Sequence, residues 1–159
     1  MVNPVIEPRT YRREMGEGRF LSFTIGYKET DLWIGIDPDS YHEEMKEFCY
    51  ERIKQYRTAL ENYLLLDPEY GSSLIPYQTN SYAPDLANTM AWAAQKANVG
   101  PMAAVAGAFA QQLGFDLLSN FKINELAIEN GGDIFLHLIN PPGSFDLCGK
   151  FTLVGKDWD

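Results

Sequence analysis

A chain of 159 residues, 45% apolar and 22% charged, has the composition of one folded domain with a sizeable core, which excludes a disordered chain. A formal charge of -9 excludes a general nucleic-acid binder, whose footprint would be basic. Cys49 and Cys148 lie far apart in sequence and His42 and His137 are isolated, without the closely spaced ligand pairs of a zinc module, and no apolar run approaches the roughly 20 residues of a membrane-spanning helix. The first residues carry no signal-peptide pattern, so a reducing, cytoplasmic setting is expected, with neither nucleic acid nor membrane as a partner.

The chain opens on a local cationic cluster. Arg9, Arg12, Arg13 and Arg19 are interleaved with Tyr11 and Phe20. Such guanidinium groups either grip a phosphate by bidentate bonds or pair with acids of the same chain. "FLSFTIGY" (20–27) and "LWIGI" (32–36) then read as two strands of a hairpin joined by a turn of about four residues, "KETD". Asp39 or Ser40 supplies helix-start chemistry, with Glu43 completing a capping box on Ser40. The helix that follows is expected over 41–66. Met45, Phe48, Cys49, Arg52, Ile53, Tyr56, Leu60, Tyr63 and Leu64 fall on one face, the spacing of a core stripe.

Asp67-Pro68 ends that helix, and 70–84 reads as a long irregular connection. A second helix is expected over 85–97 and a third from Pro101 to about Leu118, separated by Asn98 to Gly100. Strands are expected over 125–129, 133–139 and 145–154, with "NPPG" (140–143) as a turn. Two strands, three helices and then strands make an α+β domain rather than a doubly wound sheet.

Two places besides the arginines offer chemistry. Gly100 and Pro101 suit the cap and first position of the third helix, but glycine brings no side-chain oxygen. The N–H groups of Met102, Ala103 and Ala104 then need an outside acceptor, either a neighbouring loop or an anionic ligand drawn by the helix dipole. Ala103, Ala104, Gly107 and Ala108 would let another element approach closely. In "ENGGD" (129–133), Asn130-Gly131 is the strongest hairpin signal of the chain. The flanking Glu129 and Asp133 are not needed for a turn. They could hold Mg²⁺ or bond a ribose hydroxyl, or they could be bystanders of the hairpin. The hairpin is expected to lie beside the start of the third helix, with at least one glycine at positive φ. No GxSxG, GxxxxGK[ST] or HExxH pattern occurs, and Ser72, Ser73 and Ser81 have no histidine near them in sequence.

Taken in order, "RTYR", "ETDLWI", "DPEYGSSLIPY", "VGPMAAVAGAFA" and "ENGGDIF" resemble an uncharacterised ApbE-like family, distantly similar to the FAD:protein FMN transferases. The resemblance spans nearly the whole chain and implies a T-fold-like α+β architecture with an antiparallel sheet packed on a few helices. It implies a pocket for FAD or FMN, or another nucleotide-like phosphate ligand, beside Gly100, Gly107, Asn130, Gly131, Gly132 and Asp133, with Mg²⁺ assisting. The open N–H groups of the helix start add Met102 and Ala103 to that pocket, and the two acids of the turn, Glu129 and Asp133, would be the metal ligands. The transferases carry a lysine and a later aspartate around the helical glycine, where this chain has Ala106, Ala108, Phe109 and Ala110. Members of the resembled family are typically longer, so 1–159 is expected to be a single domain or the N-terminal part of one. The rival expectation is a non-catalytic binding or assembly module, whose open strand edges would favour a homodimer.

Overall fold

The computed structural model describes Arg12, residues 18–139 and the backbone of Thr152–Val154. The element order is β1 (Leu21–Tyr27), β2 (Thr30–Ile36), α1 (Glu44–Leu66), α2 (Pro68–Ser72), α3 (Asp85–Ala97), a 3₁₀ turn (Pro101–Ala104), α4 (Val105–Asn120), β3 (Leu126–Asn130), β4 (Asp133–His137) and β5 (Thr152–Val154). The strands form one sheet in chain order, β1 to β4 antiparallel and β5 parallel to β4. This is an α+β arrangement, as the order of apolar runs suggests. The "NPPG" turn and the start of the last expected strand lie outside the described residues.

The alternation of strand side chains sorts the sheet into two faces. Leu32, Ile34 and Ile36 of β2 pair with Asn130, Ile128 and Leu126 of β3, and all three apolar residues of β2 are fully buried. Phe135 stands opposite Ile128 on the same face. α1 lies against β1, and α4 against β3 and β4. Gly114 lets that contact close, since a Cβ there would stand 2.8 Å from Cζ of Phe135. The other face carries Trp33 and Glu129, directly opposite each other, with Phe20 packed edge-on against the indole. Both central strands are therefore covered on both sides.

Several boundaries differ from the sequence expectations, each for a local reason. Tyr27 pairs with Thr30, so the first hairpin turns on Lys28 and Glu29 alone rather than on four residues, with Lys28 at φ 53°. The capping box does not form. Ser40 Oγ donates to Asp37 and accepts from the Asn124 N–H, tying the entry of α1 to the approach of β3, and α1 starts at Glu44 without a side-chain cap. The expected apolar stripe holds, with Met45, Cys49, Ile53, Leu60 and Tyr63 buried.

Within the expected irregular stretch, α2 forms because Asp67 caps it and Pro68 suits a first helical position. The rest of the connection is held by the same carboxylate. Asp67 is buried and accepts from the hydroxyls of Tyr63 and Tyr77, the Tyr70 N–H and the Asn80 amide. Tyr63, Tyr70 and Tyr77 pack edge to face around it. The tyrosine hydroxyl of residue 77 is pushed up to about 12, chiefly because it donates to that carboxylate.

Candidate functional site

The third helix does not start as an α-helix at Pro101. Its first turn is 3₁₀, and α4 proper begins at Val105. The tighter turn supplies acceptors from within. Ala103 N–H donates to the Gly100 carbonyl and Val105 N–H to that of Met102. The Ala103 donor expected to need an outside acceptor is thus satisfied by backbone. Gly100 is buried against another stretch of backbone. A Cβ there would clash with the Ser73 carbonyl oxygen and stand 2.7 Å from its carbon and 3.0 Å from Cα of Leu74. Close packing alone accounts for a glycine at this position.

The hairpin comes to the first turn of α4 itself. Asn130 pairs with Asp133 across a two-residue turn in which Gly131 has φ 62° and Gly132 φ 100°. Both values fall in the positive-φ region that glycine adopts without strain and most other residues do not. Asn130 and Asp133 face α4. The Asn130 amide donates to the Ala106 carbonyl at 3.1 Å, and the Asp133 carboxyl lies by the Gly107 N–H, which favours its charged form. Turn and helix start therefore meet, and the anion at the helix N-terminus is the chain's own Asp133. Burial raises the pKa of this half-buried carboxyl; the Gly107 N–H works against that rise and the charge of Glu129 adds to it.

Glu129 precedes Asn130 and so leaves the sheet on the opposite face. It is fully buried, and both oxygens are engaged. Oε2 accepts from Arg12 Nε at 2.6 Å, and Oε1 accepts from the Gly132 N–H at 2.8 Å. Arg12 also spans to the carboxylate and carbonyl of Asp31. Arg19 meets both oxygens of Glu125. Where the N-terminal arginines are described, they pair with acids of the chain; Arg9, Arg13 and Tyr11 lie outside the described residues.

Hairpin, helix start and Arg12 form one assembly, but Glu129 and Asp133 do not converge. Among the described residues no group of three or more His, Cys, Asp or Glu side chains gathers around a common point. A cation shared by both carboxylates would have to displace Arg12 and Gly132 from Glu129, whereas Asp133 has only a backbone N–H to share. Met102 packs at the edge of the core and Ala103 is exposed, both in the 3₁₀ turn that precedes α4. The arginine that fixes Glu129 was visible in sequence only as one of a cluster. What singles it out is the ladder register, which puts Glu129 on the face away from the helices.

No helix among the described residues is long and apolar enough to cross a membrane. Comparison with known proteins places the chain among relatives of similar sequence. It is 38% identical over 109 residues to a UPF0280 protein of Methanocaldococcus jannaschii, a match covering 69% of this chain and 41% of that protein. A UPF0280 protein of Methanococcus maripaludis strain C6 is 35% identical over 138 residues, 87% of this chain and 54% of the relative. One from Methanospirillum hungatei is 40% identical over 110 residues, 69% and 44% of the two chains. The chain thus spans about half the length of the curated relatives it matches. The family model described as AbpE bacteria matches residues 12–147, from the arginine that grips Glu129 to beyond β4, and the chain belongs to that family.

Proposed function

We propose that the hairpin and the start of α4 bind a flavin- or nucleotide-like phosphate ligand through Mg²⁺, in a protein related to those that transfer FMN from FAD. The observation that carries this is the bond of Asn130 to the Ala106 carbonyl, which sets the hairpin, and with it Asp133, against the first turn of α4 beside the Gly107 N–H. A helix start favours an anion, but here a carboxylate already lies by one donor, with Glu129 close enough to act on it electrostatically. A bare phosphate would be repelled. Mg²⁺ typically takes one or two carboxylates, keeps several waters and fills the remaining positions with substrate phosphates. Asp133 suits the single-carboxylate case, and Glu129, committed to Arg12, does not suit a second ligand. The ion would neutralise phosphate charge beside Asp133. Gly131 and Gly132 leave room for the ligand, as nothing lies within 4 Å of a Cβ built at Gly131.

Binding is better supported than transfer. Residues 106–110 offer no charged side chain to steady a pyrophosphate, so the metal would carry that charge alone. Calorimetric titration with FAD and with FMN, each with and without Mg²⁺, tests the proposal. Saturable binding that requires the metal is expected, and AMP release from FAD would extend it to transfer. Absence of binding at roughly 0.5 mM ligand, equivalent to about -4.5 kcal/mol, would overturn it.

One observation favours a second reading, an assembly module. Leu65, Leu66, Leu74 and Ile75 are 70–87% exposed, a large apolar content for the end of α1 and the loop after α2. A homodimer buried there would make scattering mass rise with concentration; a constant monomer mass would remove the support.

A further inference from the structure

A cleft of about 520 Å³ lies between the segment 76–79 and the exposed side of α3, formed by residues that have no part in the hairpin site. Its volume falls within the range of about 300–1,000 Å³ typical of small-molecule sites. The wall formed by the loop is fixed before any ligand arrives. Tyr77 donates to the buried Asp67 at 2.8 Å, and Thr79 Oγ1 donates to Asn88 Oδ1 of α3 at 2.6 Å. Such tethers lower the ordering cost of binding.

The lining is chemically distinctive. It holds three primary amides, Gln78, Asn88 and Gln95, the aromatic rings of Tyr77 and Trp92, and no charged side chain. Beside the lining, the Lys96 ammonium lies over the Trp92 ring, 3.9 Å from its centroid. Asn88 is spent on the loop, accepting from Thr79 and donating to the Ala83 carbonyl. The side-chain amides of Gln78 and Gln95 make no hydrogen bond to a described residue, so each can present an adjacent donor and acceptor to the cleft. A primary amide matches the paired donor and acceptor on the edge of a nucleobase, and aromatic rings offer stacking that any flat heterocycle accepts. A phosphate or carboxylate would find no counter-charge among the lining side chains, and the Lys96 ammonium is already held over the indole.

We propose that this cleft is a second ligand site, taking an uncharged planar heteroaromatic group of the nucleobase class. It is independent of the flavin-phosphate proposal, because neither Asp133 nor α4 contributes to it.

Adenosine is the probe, followed by NMR of side-chain amide and indole resonances. Saturable shifts of the Gln78 and Gln95 amides and the Trp92 indole are expected, with a Kd below about 1 mM. Gln95→Leu and Gln78→Leu should each weaken binding by up to about tenfold, the worth of one neutral hydrogen bond, while core resonances stay in place because both glutamines are exposed. Asp133→Asn should bind adenosine like the parent, so failure of the hairpin site and failure of this one are separable. Three results would overturn the proposal: no saturable shift, equal affinity for methyl glucoside, or a Gln78/Gln95 double variant that binds like the parent.

Discussion

Gly100 and Gly131 both read in sequence as places where a ligand needs bare backbone, yet the structure uses them for different reasons. Gly100 has φ -75°, which any residue can adopt, and no room for a side chain, because the Ser73 carbonyl occupies the place of its Cβ. Gly131 has unlimited room and φ 62°. One glycine is fixed by space and the other by backbone geometry. Only the second leaves a surface open to a ligand, so of the two signals the hairpin alone remains a candidate contact.

Substitution separates the two causes. Gly100→Ala should have the largest effect, about 3 kcal/mol of lost stability by denaturant titration, since two backbone segments must part to admit a methyl group. Gly100→Asn should be at least as damaging. At the hairpin the main stabilising device is not the glycine but Glu129, which holds Arg12 on one oxygen and the turn on the other. Glu129→Gln should cost about 2 kcal/mol, as a buried carboxylate that accepts from both Arg12 and Gly132 is replaced by a neutral amide with one acceptor oxygen, leaving Asp31 as the acid paired with Arg12. Gly131→Ala should cost about 1 kcal/mol from the strained φ alone. Gly131→Asn should recover most of that, because asparagine tolerates the left-handed region. If asparagine rescued position 100 and not 131, the assignment of causes would be reversed.

The same contrast explains what could be read from the sequence. Helical periodicity placed α1 and α3, and the Asn-Gly signal placed the β3–β4 turn, because each depends on neighbours within a few residues. The proximity of that turn to the start of the third helix was expected because only together would they make an anion-plus-metal pocket, and the structure brings them together through Asn130 and Ala106. The start itself was misplaced, since a 3₁₀ turn satisfies Ala103 from Gly100 and shifts α4 to Val105. Long-range partners stayed hidden. Ser73 is far from Gly100 in sequence, Arg12 is 117 residues from Glu129, and Asp67 gathers its tyrosines from both sides of α2. The register, too, was beyond reach: adjacent carboxylates in "ENGGD" look like a metal pair until alternation sends Glu129 and Asp133 to opposite faces.

Asp133→Asn should have the smallest effect on folding and the most informative one on function. Asparagine keeps an oxygen for the Gly107 N–H and suits a hairpin, so stability at neutral pH should change by less than about 1 kcal/mol. The pH dependence has a defined sign. Burial raises the folded-state pKa of Asp133 above its ordinary value of 3.8, so the folded protein holds that proton more tightly than the unfolded chain. The stabilising contribution of the protonated carboxyl is complete below 3.8 and is lost as pH rises through the folded value. Denaturation midpoints of the parent should therefore carry a component that falls with rising pH across that window, and Asp133→Asn should lack it. Asp37 supplies the opposite case: burial acts to raise its carboxyl, but the N–H groups of Glu125 and Asn124 and the Ser40 hydroxyl together hold it below 3.8. Its stabilisation is present above that value and lost on acidification, a component that Asp133→Asn should leave intact. If the variant keeps its fold and loses Mg²⁺-dependent FAD or FMN binding, Asp133 is the carboxylate that carries the metal. Were it to bind both flavins with parental affinity, the contact of Asp133 with Gly107 would serve only to hold the hairpin against α4.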